Sequence, residues 1–99
     1  MTKALDGKVV LVTGAGGGIG RDIALMAASE GAAVVVNDLG ASLTGTGQTE
    51  TAAQKVVEEI KAAGGDAIAD GGNVTDPDAA RAMIEAGVKE FGRIDAVVN

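Results

Sequence analysis

The sequence predicts an α/β fold built on a doubly wound parallel sheet, and three observations lead to this prediction. Short, continuously apolar runs alternate with longer segments in which apolar residues recur at helical spacing. The apolar residues are almost all Ala, Val, Ile and Leu, with Phe91 as the only aromatic residue, and small branched side chains suit strands buried on both faces. The first apolar run leads directly into VTGAGGGIG, residues 12–20, which places five glycines in nine positions. With 99 residues, the chain is expected to form one domain over residues 1–99.

The first strand is predicted over residues 9–13, VVLVT, where every side chain except the last is apolar. Helical spacing begins at Ile19 and ends at Gly31, a glycine placed where helices commonly terminate. A second, valine-rich strand, AAVVVND, covers residues 32–38. The inward face of the first helix is predicted to consist of Ile19, Ile23, Met26 and Ala27.

A Gly/Thr-rich stretch at residues 40–49 predicts a loop, and the helix that follows it ends at the glycine pair 64–65. Residues 66–70 are a third, shorter strand. Asp76 and Pro77 predict the start of the third helix, because an N-cap side chain precedes a residue already fixed at a helical φ. The fourth strand is predicted over residues 93–99. The inward positions are Ala53, Val56, Val57 and Ile60 in the second helix and Ala80, Met83, Ile84, Val88 and Phe91 in the third.

The predicted order of elements is therefore β-α-β-α-β-α-β. Apolar strands separated by amphipathic helices imply a parallel sheet with helices on both faces. Right-handed crossovers favour the strand order 3-2-1-4, with the sheet truncated after strand four. Sheets of this kind bind ligands at the carboxyl ends of the strands that flank the switch point, which are here strands one and four.

The glycines of residues 12–20 lie between the first strand and the first helix, where the helix exposes unpaired N–H groups. A phosphate can bind there through the backbone alone, and a side chain at the nearest positions would hold it away. The pattern G-x-G-x-x-G fails because Ile19 and Arg21 stand where its third glycine is needed, and no Walker Gly-Lys-Ser/Thr is present. The pattern that fits is T-G-x-x-x-G-x-G, carried by Thr13, Gly14, Gly18 and Gly20.

Polar residues that follow the second and third strands extend the predicted site. Asp38 stands 20 residues after Gly18, and its carboxylate can accept hydrogen bonds from both hydroxyls of an adenosine ribose without a 2′-phosphate. Shaping the turn NDLG is the alternative for Asp38, and the glycine spacing favours the ribose role. Asn73 and Val74 are placed to meet an adenine edge, while an Asx-type turn that leads to an Asp76 cap is the alternative there.

With these residues, the chain resembles the short-chain dehydrogenase/reductase family from Leu5 to Asn99. The resemblance is carried by TGAGGGIG, the acidic residue in VVVNDLG, NVTD, and FGRIDAVVN, which enters the family's N-N-A-G motif. It implies a Rossmann-like domain that binds NAD, with the pyrophosphate on the glycine loop, the ribose on Asp38 and adenine between Asn73 and Val74. The first Asn of N-N-A-G would support the central sheet beside the cofactor. The cofactor-binding residues implied in this way are Gly14, Gly16, Gly17, Gly18, Ile19, Gly20, Asp38, Asn73, Val74 and Asn99.

A closer similarity, in VVVNDLG, the Gly-rich insertion after it and KVVEEIKAAGGDA, connects the chain to the (3R)-hydroxyacyl-CoA dehydrogenase branch. It implies an NAD-dependent oxidoreductase that interconverts a secondary alcohol, such as a 3-hydroxyacyl thioester, and a ketone. The family's catalytic Ser and Tyr-x-x-x-Lys follow N-N-A-G, and this sequence contains no Tyr. We therefore assign no catalytic residue and expect the chain to be the cofactor half of an enzyme, inactive alone. Two alternatives stay open: a non-catalytic nucleotide-binding or assembly module, and a methyltransferase domain that binds S-adenosylmethionine.

Composition narrows the expected partners and location. The net charge of −6 argues against a nucleic-acid or anionic-membrane partner. The absence of Cys and His argues against disulfides and the usual zinc sites, and we predict no metal. No apolar run approaches the ~18 residues that a membrane span needs, so we predict a cytoplasmic protein with a small-molecule substrate. The open side of strand four predicts a homo-oligomer, or association through that edge.

Overall fold

Strands and helices alternate along the chain in the predicted order. The computed structural model describes residues 4–38 and 52–99, so the predicted loop at 40–49 lies outside the described residues. The strands are β1 (Val9–Val12), β2 (Ala33–Asn37), β3 (Asp66–Asp70) and β4 (Ala96–Val98), and the helices are α1 (Gly18–Ser29), α2 (Ala52–Ala62) and α3 (Pro77–Phe91).

The four strands form a parallel sheet in the order β3-β2-β1-β4, which confirms the predicted strand order. At the centre of the sheet, Leu11 pairs with Val35 of β2 on one side and with Val97 of β4 on the other. At the carboxyl end of the β2–β3 ladder, Asn37 pairs with Asp70. Because all strands run in the same direction, the segments that follow them meet at one end of the sheet.

Helices cover both faces of the sheet, as predicted. Successive strand residues point to opposite faces, so each strand contributes to two cores. A small core beneath α3 contains Leu11, Val35 and Met83. The larger core lies between the sheet and the helices α1 and α2, and its main members are Val10, Val12, Val34, Val36, Ala24, Ala27, Val56, Val57 and Ile60.

The predicted inward face of α1 is wrong at two of its four positions. Ile19 is 78% exposed and Met26 is 61% exposed, whereas Ala24 and Ala27 are buried. The helix lies so close to the sheet that only small side chains fit between them. A β-carbon added at Gly20, one turn before Ala24, would overlap the carbonyl oxygen of Gly14. The larger apolar residues of α1 therefore lie to the side of the buried alanines or point toward solvent.

The start of α3 confirms the predicted cap. Asp76 is the N-cap residue, and its Oδ1 accepts a hydrogen bond from the backbone N–H of Asp78 at 3.0 Å. Pro77 follows as the first helical residue. The helix ends at Gly92, whose φ of +88° lies in the left-handed region that favours glycine.

The predicted inward stripe of α3 holds only in part. Met83 is buried, but Ile84 and Val88 are exposed. One turn after Met83 the buried residue is Gly87. A β-carbon there would lie 2.6 Å from Cδ1 of Ile94, so the glycine allows the helix to approach the sheet closely.

The fourth strand begins at Ala96, three residues later than the predicted 93–99. Side chains hold the segment before it. The guanidinium of Arg93 lies 2.6 Å from Oδ1 of Asp95, and Oδ2 of Asp95 accepts a hydrogen bond from the Val9 N–H at 2.8 Å. The Arg93 hydrogen bond and then the Val9 N–H lower the pKa of Asp95 below its ordinary value.

The two edge strands of the sheet differ in chemistry. β3 begins with Asp66 and ends with Asp70, so an acidic residue stands at each end of this strand. β4 consists of Ala96, Val97 and Val98, and Val97 is 51% exposed. Among residues 4–38 and 52–99, no further strand pairs with either outer side. No helix in this part of the chain is long and apolar enough to cross a membrane.

Candidate functional site

The predicted site residues lie on four segments that follow the strands and meet at the carboxyl end of the sheet. The glycine loop, residues 13–20, comprises the connection from β1 to α1 and the beginning of the helix, and Asp38 comes directly after β2. Residues 71–74 follow β3, and Asn99 follows β4. The fold therefore brings all predicted residues to one end of the sheet, on both sides of the switch point between β1 and β4.

The glycines of this loop fall into two groups. Gly14 and Gly18 have φ values of +64° and +58°, which favour glycine over any other residue. Among residues 4–38 and 52–99, no atom beyond the adjoining chain lies within 4 Å of a β-carbon added at Gly14, Gly17 or Gly18, so these residues leave the space in front of all three open. Gly20 differs, because its β-carbon would overlap the Gly14 carbonyl oxygen. The first group leaves the backbone accessible, and Gly20 serves the packing of helix against loop.

The beginning of α1 has no side-chain cap. Its N-cap residue is Gly17, which has no side chain that could accept a hydrogen bond from the first turn. No acidic residue lies in that turn. The helix α3 is the contrast within the same molecule, since Asp76 caps it and Asp78 stands in its first turn. The N–H groups and positive dipole end of α1 thus face the open side of the glycine loop without a counter-charge from its first turn.

Asp38 lies against the glycine loop. Its Oδ2 accepts a hydrogen bond from the backbone N–H of Gly16 at 2.7 Å. A β-carbon on Gly16 would overlap this carboxylate and would also lie 2.7 Å from Cβ of Ala52. Gly16 is therefore a glycine because Asp38 and α2 occupy the space beside it. The carboxylate is thus held against the middle of the glycine loop, two residues before Gly18.

Asn73 forms the Asx-type turn that is the alternative interpretation of its position. Its Oδ1 accepts hydrogen bonds from the backbone N–H of Thr75 at 2.9 Å and from the Thr75 hydroxyl at 2.7 Å. The carbonyl of Asn73 accepts from the N–H of Asp76 at 2.9 Å, which leads the chain into the α3 cap. Val74 is exposed. The turn uses the oxygen of the Asn73 amide, and its NH₂ group makes no hydrogen bond within the described residues.

Asn99 lies beside the residue that begins the glycine loop. The hydroxyl of Thr13 is 3.3 Å from Oδ1 of Asn99 and 3.4 Å from the carbonyl oxygen of Val98. The backbone N–H of Thr13 also donates to that carbonyl, at 2.9 Å. These contacts fix the end of β4 to the first residue of the loop, next to the switch point.

One residue of the site was missed by sequence reasoning. Asn37 is the last residue of β2 and is only 2% exposed, and its side-chain amide bonds to Asp70 and Gly72 after β3. The signal was present in the sequence, because an Asn that directly follows three consecutive valines of a predicted buried strand must find partners inside the protein. Its partners could not be read from the sequence.

A groove elsewhere on the molecule lies apart from the predicted site, and the described residues contain no metal-binding cluster. A groove of about 1260 Å³ lies at the opposite end of the sheet, beside Lys8, Ala33 and Asp66, where the strands begin. None of the predicted site residues lines it. Within residues 4–38 and 52–99, no group of three or more His, Cys, Asp or Glu side chains could hold a metal ion.

Comparison with known proteins places the chain in a family. Residues 8–99 match the short chain dehydrogenase family. The peroxisomal hydratase-dehydrogenase-epimerase of Neurospora crassa is 55% identical over 95% of this chain, which spans 10% of that protein. The peroxisomal multifunctional enzyme type 2 of Mus musculus is 51% identical over 95% of the chain, which spans 12% of it.

Solved structures agree with these matches. A short chain dehydrogenase from Mycobacterium avium has a TM-score of 0.88 at 55% identity, over 96% of this chain and 33% of that protein. A 7α-hydroxysteroid dehydrogenase in complex with NADH and a 7-oxo bile acid conjugate has a TM-score of 0.85 at 38% identity. That comparison covers 99% of this chain and 35% of the solved one. The chain thus spans about a third or less of the relatives named here.

Proposed function

Because the chain belongs to the short-chain dehydrogenase family, we propose that it is the NAD-binding part of an oxidoreductase that interconverts a secondary alcohol and a ketone. The observation that carries this proposal is the glycine loop. In the part of the chain that the structure describes, three of its glycines face open space, and the helix behind them begins without a side-chain cap. A pyrophosphate fits such a place, since backbone N–H groups can donate to its oxygens and the helix dipole favours its charge.

The residues present divide the dinucleotide between them. Gly14, Gly17 and Gly18 would hold the pyrophosphate through the backbone, with Ile19 covering it from the exposed first turn of α1. Asp38 would accept hydrogen bonds from the adenosine ribose, and residues 73–74 would lie beside adenine. When bound, the nicotinamide would supply the hydride acceptor or donor of the reaction. This chain's own residues bind and orient the cofactor, and we assign no proton transfer to any of them.

NAD is the proposed dinucleotide in preference to NADP. A 2′-phosphate on the ribose would bring negative charge against the Asp38 carboxylate, and Gly17 offers no basic side chain to compensate. The NADH complex of the related 7α-hydroxysteroid dehydrogenase supports the use of a nicotinamide cofactor in the family.

A 3-hydroxyacyl thioester is the proposed class of substrate. The support comes from the resemblance in VVVNDLG and KVVEEIKAAGGDA and from the 55% identity to an enzyme whose name includes a hydratase and a dehydrogenase.

A cytoplasmic location and self-association also remain proposals. Relatives at 51–55% identity are named as peroxisomal enzymes, so fractionation of the host cell is the measurement that checks the location.

Ligand-induced changes in melting temperature test the proposed cofactor class. We expect NAD to raise the melting temperature of the 99-residue chain in a concentration-dependent way, because a ligand that binds only the folded state stabilises it. S-adenosylmethionine, the ligand of the methyltransferase alternative, should leave the melting temperature unchanged. A shift with S-adenosylmethionine and none with NAD would reject the proposal.

A further inference from the structure

The amide of Asn37 joins the carboxyl ends of β2 and β3. The two residues Asn37 and Asp70 are paired in the ladder, and the Asn37 side chain is buried. Its Nδ2 lies 3.0 Å from Oδ1 of Asp70, 3.0 Å from the carbonyl oxygen of Gly72 and 3.3 Å from the carbonyl oxygen of Asp70. All three partners are acceptors, so the residue at this position must present an NH₂ group to them.

The carboxylate of Asp70 holds the turn that leads to the proposed adenine side. Its Oδ1 also accepts a hydrogen bond from the backbone N–H of Gly72 at 2.8 Å. A β-carbon on Gly72 would lie 3.0 Å from this oxygen and 3.4 Å from Cβ of Ala79, so the turn is packed between the carboxylate and α3. Asn73 follows Gly72 directly. Asn37 and Asp70 together therefore fix the position of the turn at Gly72, from which residues 73–74 continue.

Backbone hydrogen bonds connect Asn37 and its neighbour Asp38 to the other parts of the site. The carbonyl oxygen of Asn37 accepts a hydrogen bond from the N–H of Ala15 in the glycine loop at 2.8 Å. The next residue, Asp38, donates its N–H to the carbonyl oxygen of Asp70 at 3.1 Å. One buried residue thus contacts the glycine loop, precedes the proposed ribose-binding carboxylate and bonds to the turn beside the proposed adenine position.

We propose that Asn37 is a positioning residue for the adenosine half of the dinucleotide, acting through Asp70. It fixes the distance between the Asp38 carboxylate and residues 73–74, the two groups that would contact ribose and adenine. The proposal rests on the proposed function. A valine or leucine would satisfy the burial of β2 at this position equally well, but would leave the Asp70 carboxylate and the Gly72 carbonyl without this donor.

Calorimetric titration of AMP and NAD into the 99-residue chain tests the proposal with three variants. Asn37→Leu removes the donor at similar size, and Asp70→Ala removes the acceptor from a half-buried position. Asp70→Asn is the matched control, because it removes the charge and keeps an oxygen that can accept from Asn37 and Gly72. We expect the first two variants to weaken both ligands by the same factor, at least tenfold. Asp70→Asn should bind both within about threefold of the wild type.

Several results separate positioning from stability and from the proposed function. The double variant Asn37→Leu/Asp70→Ala should lose less AMP affinity than the product of the two single losses, because both changes remove the shared Asn37–Asp70 hydrogen bond. Folded Asn37→Leu and Asp70→Ala that bind AMP and NAD like the wild type would overturn the proposal and leave the proposed function intact. If Asn37→Leu does not fold, Asp70→Ala decides alone, by the same criterion. A folded wild type that binds no NAD would reject the proposed function, and this inference with it.

Discussion

At the scale of single residues, Asp38 is expected to decide between the two nicotinamide dinucleotides. NAD should bind the wild type at least tenfold more tightly than NADP, which is about 1.4 kcal/mol, because the 2′-phosphate would face this carboxylate. Asp38→Ala should reduce the preference, and adding Gly17→Arg should reverse it, since Gly17 has an extended φ of −170° and open space in front of it. Titration of NAD and NADP measures the ratio of the two affinities.

Asp66→Ala is the control: it removes one negative charge, as Asp38→Ala does, but at the other end of the sheet, and it should leave the preference for NAD unchanged. Equal affinities in the wild type would contradict the expectation.

The space in front of Gly18 is expected to belong to the cofactor. Gly18→Val should lower the free energy of unfolding by about 1–3 kcal/mol, because a branched residue is strained at a positive φ. It should also abolish NAD binding by the folded protein. Gly64→Val is the matched control: Gly64 has a φ of +92° and open space, but ends α2 far along the chain from the glycine loop. The Gly64→Val variant should lose a similar amount of free energy of unfolding in denaturant titrations. It should bind NAD as the wild type does. Normal NAD binding by folded Gly18→Val would show that no ligand occupies this space.

The residues of the site were predictable to the extent that their chemistry is local. Gly14 and Gly18 could be predicted from spacing, because a positive φ and an accessible backbone both require glycine. The placement of Asp38 beside the glycine loop could be predicted because Asp38 directly follows a strand that must reach the same end of the sheet. Asn37 could not, since its role depends on the pairing of β2 with β3 and on the turn at Gly72, neither of which a single sequence specifies.

At the scale of elements, the close approach of α3 to the sheet depends on Gly87. Alanine is the better helix former by about 1 kcal/mol, yet we expect Gly87→Ala to be less stable than the wild type, because overpacking of a tight contact costs about 1–3 kcal/mol. The new β-carbon would lie 2.6 Å from Cδ1 of Ile94 and 3.0 Å from Cγ2 of Val35. Denaturant unfolding measures the difference.

Two further variants distinguish crowding from helix propensity at this contact. Ile94→Val removes the atom nearest to the new β-carbon, so combined with Gly87→Ala it should recover part of the lost stability. Ala82→Gly, on the exposed side of the same helix, should lose about 1 kcal/mol through propensity alone. A Gly87→Ala variant more stable than the wild type would mean that α3 can move away from the sheet without cost.

The helices illustrate what could be predicted at this scale and what could not. Their number, type and approximate ends followed from apolar spacing, from Asp76–Pro77 and from the glycines that terminate them. The buried faces of α1 and α3 were partly wrong, because hydrophobicity favours burying Ile19, Met26, Ile84 and Val88. The buried positions are instead Ala24 and Ala27 in α1 and Met83 and Gly87 in α3, and at Gly87 an added β-carbon would overlap its neighbours. The distance between each helix and the sheet is set by the sheet and the neighbouring helices together.

At the scale of the whole molecule, we expect the 99-residue chain to self-associate and to be catalytically inactive. No strand of the described residues pairs with the outer side of β4, where Val97 is exposed, and the exposed residues Ile84 and Val88 add apolar surface on α3. The sequence has no Tyr to act as the family's proton donor or acceptor. Light scattering measures the mass, and NADH absorbance measures turnover of 3-hydroxyacyl thioesters and secondary alcohols. A stable monomer with measurable turnover would contradict both expectations.

The difference between the two sheet edges limits the symmetry of such an assembly. Two copies that meet through β4 are related by a two-fold axis, and their contact is isologous, so it consumes the uncharged edge of each copy. The edges left outside are then both β3, flanked by Asp66 and Asp70, which makes further edge-to-edge addition unfavourable. If the chain associates in this way, we therefore expect association to stop at two copies, with the acidic residues of β3 disfavouring further addition.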